Sequence, residues 1–303
     1  MVKVEYKGID ITASVDVAKC WIDQYAEEHG DTIQVRFNDT ERLWDKWAPA
    51  VGDKIRVYSD HADSGVQYIR SLSPMVGKYE ITAGSIPVSA EEKRNAGWQQ
   101  VTKLQLAKDI AARHGLTLKT YGVTDHKFLY LRQEHDGDLA FFQRLCLLEG
   151  DAFLIYDGEF ILYNEADLES QDAVQTVTVS ADNNPEYISE AAYTSIEIRN
   201  GETAFTYGTD KTRQKALALD TYIDSKGTAE RYAKNLFHHI NKMAKRGTFY
   251  TSPIAEGYTA GSIMTLKTEG AGTFNGKAFI YHVRHDLANN KTKVFFRSVA
   301  ADD

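Results

Sequence analysis

The chain is poor in the features that announce chemistry. Only two of its 303 residues are cysteine, Cys20 and Cys146, and they lie far apart. With no Cys-x-x-Cys and no Cys/His ligand spacing, they read as buried free thiols rather than a disulfide or a metal site. No apolar run approaches the roughly 20 residues that a membrane-spanning helix needs. The opening MVKVEYKGID lacks the apolar core of a signal peptide, so the expectation is a chain made and kept in a cytoplasm. There is no Gly-x-Ser-x-Gly elbow, no phosphate-cradling glycine loop and no His-Glu-x-x-His. Gly270-Ala271-Gly272 has no helix after it and reads as a loop. No internal repeat, low-complexity tract or heptad run is present.

What is there is ordinary in proportion and β-rich in kind. Apolar residues are 43%, enough for a sizeable core, and the length suggests two or three domains, or one domain with an insertion. Seventeen Tyr and thirteen Phe suit strands. The net charge of −8 argues against gripping nucleic acid by phosphate neutralisation. It fits a surface that DNA passes without sticking.

Several clusters could have been chemistry. His238 and His239 are adjacent on an expected helix, about 100° apart, and cannot both bind one metal there. They read as surface or packing histidines. His282 and His285 fall on opposite faces of an expected strand. The acidic pairs Glu91-Glu92, Asp136/Asp138 and Glu165/Asp167 are not singled out by any motif. His135 beside Asp136 reads as a solvated helix cap. No catalytic, cofactor-binding or metal-binding residue is expected.

The stretch 127–163 carries the clearest local signals. Residues 127–133 are rich in β-formers. Asp136 is the expected N-cap of a helix bearing Leu139, Phe142, Leu145 and Cys146 at helical spacing, with Asp138 in its first turn and Gly150 as its stop. Asp157-Gly158 then joins two apolar runs, 152–156 and 159–163, in a hairpin.

Before it, residues 1–87 read as short strands: 2–6, 9–13, 17–25, 31–37, 54–58, 66–72 and 78–86. Residues 88–101 read as a polar linker. A helix follows over 103–114, capped by Thr102, with Leu104, Ala107, Ile110 and Ala111 inward, and then a strand over 116–121. After the hairpin come strands at 174–179, 193–199, 203–207 and 217–222, with Asn200-Gly201 as a turn. A helix over 229–246 ends at Gly247, its basic tail (Lys242, Lys245, Arg246) complementing the dipole. Strands over 248–251, 262–267, 277–286 and 291–298 close the chain.

Three sets of residues resemble one family, in order along the chain. The first is Gly8, Asp10, Ile11 and Thr12, then Asp31, Ile33, Val35 and Phe37, then Trp44 or Trp47 with Gly52, Asp53, Ile55 and Val57. The second is Arg132, Asp138, Leu139, Phe142, Arg144, Leu145, Glu149, Gly150 and the hairpin around Gly158. The third is Gly247, Pro253, Ala260, Gly261, Phe274, Gly276, Ile280, Val283 and His285. Together they are similar to the late-control D-type phage tail proteins, the baseplate hubs of contractile and some long non-contractile tails.

The resemblance implies a mainly β fold with an α+β insertion: two tube-like β-barrel domains flanking a small α/β domain. The expected boundaries are 1–88, 89–168 and 169–303, the last holding the long helix at about 228–246. It implies a homotrimeric ring joining a sixfold tail tube to a central spike. The partners would be the tail tube protein, other baseplate proteins and a separate spike protein, since no spike-like segment follows residue 299. DNA would pass through the lumen without specific binding. The place would be the virion tail or baseplate, after assembly in the bacterial cytoplasm. No cofactor is implied. Gly8, Asp10, Trp44, Gly52, Asp53, Arg132, Asp138, Phe142, Gly150, Gly158, Gly261 and His285 would be structural motif residues. A β-barrel module that binds or hydrolyses envelope glycans is the alternative.

Overall fold

The computed structural model describes residues 1–27 and 30–299; residues 300–303, the end of the third expected segment, lie outside the described residues. The fold is mainly β with an α+β insertion. The first part holds β1 (Lys3–Tyr6), β2 (Ile9–Asp10), β3 (Asp16–Tyr25), β4 (Thr32–Asn38), α1 (Leu43–Trp47), β5 (Lys54–Tyr58), β6 (Gln67–Met75) and β7 (Lys78–Gly84). Next come β8 (Arg94–Thr102), α2 (Lys103–Arg113), β9 (Thr117–Tyr121), β10 (Lys127–Asp136), α3 (Asp138–Glu149), β11 (Asp151–Tyr156), β12 (Glu159–Asn164) and α4 (Glu165–Ser170). The remainder is β13 (Gln175–Val179), β14 (Glu186–Ser189), β15 (Ser195–Asn200), β16 (Thr203–Gly208), β17 (Gln214–Ala218), α5 (Lys226–Asn241), β18 (Lys245–Thr251), β19 (Ile263–Thr268), β20 (Gly276–Asp286) and β21 (Lys291–Ser298).

One long sheet runs through both ends of the chain, in the order β14-β18-β21-β20-β3-β4-β7-β6-β5-β1-β2, with β13 and β19 branching from β20. The branch point explains the join. The 11-residue β20 pairs with β21 along its length, while its other edge changes partner. Its first residues pair with β19 and its last, His282–Asp286, with β3. A bulge between Ile280 and His282 marks the change. Each half of the sheet wraps its own core, one around Val35, Phe37, Trp44 and Ile81, the other around Phe249, Leu266, Val283 and Phe296.

The insertion builds a third core around Phe142 and Phe160. Here β11 and β12 form the expected hairpin, with Asp157 and Gly158 both at positive φ, and β9 joins it in parallel. A separate sheet, β16-β15-β17, is covered by α5 around Ile196, Ile198 and Tyr232.

Several expectations are corrected. The supposed linker 88–101 is mostly strand: β8 pairs with β10 over nearly its whole length. Its polar residues lie on a two-stranded sheet with little to bury. The α3 N-cap is Gly137, not Asp136, which ends β10 and pairs with Arg144. In α2 the fully buried leucine is Leu106 rather than Leu104, while Thr102 forms a complete capping box with Gln105. The β15–β16 turn is Gly201-Glu202, since Asn200 already pairs with Thr203.

Helix α5 starts three residues early, at a Ser225 cap, and ends at Asn241. Gly247 therefore stops no helix. It sits in β18, where a Cβ would fall 2.5 Å from the Glu186 carbonyl and 2.7 Å from the Phe296 ring. Strand packing, not helix termination, requires glycine there. Helix α4, strand β14 and the single turn α1 have no counterpart in the sequence reading. Helix α1 follows from Asp39, whose carboxylate accepts hydrogen bonds from the Leu43 and Trp44 amides.

Candidate functional site

The motif residues fall into separate places. Gly8 (φ +78) turns β1 into β2 and Gly52 (φ +90) turns the chain into β5, conformations that favour glycine. Between them Asp53 accepts hydrogen bonds from the Tyr6 hydroxyl (2.6 Å) and the Ala50 amide (2.8 Å) and pairs with Lys7 (3.1 Å). Burial raises the Asp53 carboxyl, but these donors outweigh it and hold it below the usual range. Tyr6 in turn packs edge-on against Trp44, which is 1% exposed and also meets Phe37 and Tyr79. Asp10 closes its own turn by accepting from the Thr12 amide at 2.8 Å.

In the insertion, Asp138 is 1% exposed and takes Gln133, Arg113 and His114 as partners. Burial raises its carboxyl; those three groups outweigh it and lower it. Phe142 is in the core and Gly150 caps α3 in the left-handed conformation. Arg132 is exposed and pairs only with its neighbour Glu134 among the described residues. Gly158 sits at the hairpin tip, and beside it the Asp157 carboxylate accepts from the Val66 amide at 3.0 Å, docking the tip onto the first β half. Gly261 (φ +89) leads into β19. His285 is buried against Thr292 (2.8 Å), and burial lowers its pKa to about 4. These residues define turns and cores and do not converge on a cleft.

Two regions do bring side chains together. The first is a buried joint where four segments meet: Glu27 just after β3, Glu165 and Glu169 on α4, His238 and Lys242 at the end of α5, and Arg297 on β21. Lys242 contacts Glu27 and lies 2.9 Å from Glu165. Arg297 contacts Glu169 and stands over the Phe279 ring. His238 Nε2 is 3.6 Å from Glu165 and 3.3 Å from Glu169. The two glutamates raise the imidazole's pKa to about 9. Burial and the Arg297 charge lower the proton affinity of Lys242. Contact with the Glu27 and Glu165 carboxylates opposes that. Glu165, Glu169 and His238 could offer ligand atoms within 4.8 Å of one another, but Lys242 and Arg297 already bind both glutamates.

Sequence reasoning missed this joint. It took His238 as surface or packing and Lys242 as a helix-end cation. The one local signal was Glu165 and Glu169 at i, i+4 on a helix that the sequence reading did not contain.

The second region is the open face of the shared sheet. Along one cross-strand row, Tyr250 pairs with Lys293, Lys293 with Arg284, and Arg284 with Asp23. The next row carries Lys291, Asp286, Trp21 and Gln34. Side-chain contacts confirm one face: Arg284 hydrogen-bonds Asp23 (2.8 Å), His282 stacks on Tyr25 and Phe295, and Arg36 binds Glu80 (2.7 Å). The other face of these strands is core. The open face thus bridges both β halves.

The two best-formed cavities among the described residues have volumes of about 10 and 20 Å³, space for a water molecule rather than a sugar. Among the described residues no helix is long and apolar enough to cross a membrane.

No protein-family model and no curated protein matches the sequence. Solved structures do match the fold. The tail protein from Neisseria meningitidis MC58 superposes with a TM-score of 0.76 at 12% identity, covering 98% of this chain and 95% of that one. The 43 kDa tail protein of prophage MuSo2 from Shewanella oneidensis gives 0.71 at 11% identity, covering 97% and 95%. A type VI secretion system component from E. coli, itself similar to two T4 tail proteins, gives 0.61 at 13% identity, covering 98% and 77%. The chain has the fold of phage tail proteins.

Proposed function

We propose that this chain is a structural component of a phage tail or a related injection particle, and specifically a baseplate hub. Three copies form a ring that joins a sixfold tail tube to a spike carried by a separate chain. The observation that carries this reading is the joined sheet: two β halves, each with its own core, share one face through the β3–β20 pairing. A chain offering two such halves presents six in a trimer, which matches a threefold ring to a sixfold tube. The likeness to tail proteins over nearly the full length of both chains supports the same reading.

The sheet also supplies means of assembly. The strand β14 lies at one edge, with Ile188 exposed, and an unpaired edge is a template for a neighbouring chain. Identical chains meeting head to tail close into a ring. Under this proposal the protein works in the virion tail, contacts tube and baseplate proteins, and carries no catalytic residue. Light scattering on a sizing column tests it: three times the 34.1 kDa chain mass is expected, alone or with the spike protein added. A monomer under both conditions would overturn the ring.

A further inference from the structure

Three elements meet at the imidazole of His114, the residue that caps the end of α2. One is a short turn of 3-10 helix, Val88–Glu91, between β7 and β8. This turn lies against the start of α3: a Cβ on Gly137 would fall 3.2 Å from the Ala90 carbonyl. Turn and helix therefore flank the end of α2. From the turn, Ser89 Oγ stands 3.0 Å from His114 Nδ1. From α3, Asp138 Oδ2 stands 3.0 Å from His114 Nε2. His114 is 25 positions from Ser89 and 24 from Asp138 in the chain, so no local motif announces the group.

The state of the ring follows from the carboxylate. Asp138 also takes Arg113 and Gln133, with Arg94 at 3.6 Å, and these donors outweigh burial and favour its ionised form. An ionised carboxylate only accepts, so the neutral ring carries its proton on Nε2. Nδ1 is left with a lone pair. It faces a hydroxyl that has no other hydrogen-bond partner among the described residues. The His114 side chain is 4% exposed, whereas Ser89 is exposed. A base sheltered from water thus meets a serine that a reagent can reach. A hydroxyl, a base within hydrogen-bond reach and a third group orienting that base are the parts of an activated nucleophile. The ring nitrogens are used in the reverse order to a serine protease triad. Either nitrogen is a base once the other holds the proton.

We propose that Ser89 is a modification site that takes an acyl group from a small activated ester or thioester, with His114 as the general base. Ser89 Oγ bonds to the carbonyl carbon, and the bond from that carbon to the leaving oxygen or sulfur breaks. The serine proton passes to His114 Nδ1 and from there to the leaving group. Nothing is oxidised or reduced. Neither of the two best-formed cavities is lined by Ser89 or His114, so the donor must be small. The product is one acyl-serine per chain: the site is a target, not an enzyme. The hub role gives Ser89 no task, and the inference does not rest on that role.

The test treats the full chain with p-nitrophenyl acetate and locates the acetyl groups by peptide mass mapping. Ser89 should acetylate about a hundredfold faster than the exposed Ser73, the low end of what a positioned base supplies. Its rate should drop in heavy water, because a proton moves in that step. Ser89→Ala should remove the fast site, and Ser73→Ala should leave it. His114→Gln should bring Ser89 down to the rate of Ser73 while the chain still melts cooperatively. Where that variant does not fold, the parent chain in urea takes its place: the preference for Ser89 should vanish with the fold. A preference for Ser89 below about tenfold would overturn the proposal, since a positioned base gives more. So would fast acetylation of folded His114→Gln, a preference that persists in urea, or an equal rate in heavy water.

Discussion

In the joint, Glu27, Glu165, Glu169, Lys242 and Arg297 share one volume away from water, with the half-buried His238 at its rim. On the open face, Lys19, Lys291 and Lys293 stand over rings with water on one side. The two regions are continuous through β21. Its alternate residues Lys291, Lys293, Phe295 and Arg297 lie on one side of the strand, and only Arg297 passes beneath α4. The same kind of side chain thus becomes a structural member or a surface charge according to what covers it. A buried charge must be matched by its neighbours, because leaving one partner alone costs several kcal/mol. An exposed one needs no match, because water supplies most of its solvation.

The largest effect is expected from breaking the joint. Arg297→Met leaves Glu169 and Glu27 short of a cation and should destabilise the chain by about 3–5 kcal/mol in chemical denaturation. Adding Glu169→Gln to that variant should recover part of the loss, because the two changes act on one contact. Purely additive losses would mean that the pair is not coupled.

The pH dependence sharpens the contrast. His238 has its pKa raised to about 9 in the fold from an ordinary 6.5. Its stabilisation is fully present below the ordinary value and lost as pH rises through about 9. The melting temperature should therefore fall on the alkaline side, and His238→Gln should flatten that limb. His285 has the opposite sign. Its pKa lies near 4, so its contribution is full above 6.5 and lost as pH falls towards 4. That acid limb should survive in His238→Gln; its disappearance would mean that the joint controls both.

The smallest effect belongs to the open face. Lys293→Ala should change stability by no more than about 1 kcal/mol, because it removes a surface charge and a ring contact. A loss as large as that of Arg297→Met would abolish the distinction between the two regions.

The sequence by itself determined what depends on near neighbours. Asp157-Gly158 dictates a tight turn wherever the chain goes, since both residues accept positive φ. Thr102 and Gln105 close their capping box within one helical turn. Most strands show because alternation has a period of two and one face is core. The order of these pieces was enough to resemble tail proteins, whose fold the chain has.

Only the tertiary structure decided the rest, because it depends on contacts far apart in the chain. The pairing of β3 with β20 joins residues some 260 positions apart, and alternation does not say which strand lies beside which. Strand β8 hid in a polar stretch because its partner β10, not its own hydrophobicity, holds it in place. Gly247 read as a helix stop until Glu186 and Phe296 closed around it. Above all, Lys242 and Lys293 are alike as letters. One is buried against Glu27, 215 positions away, and the other lies under water, and that difference exists only once the chain has folded.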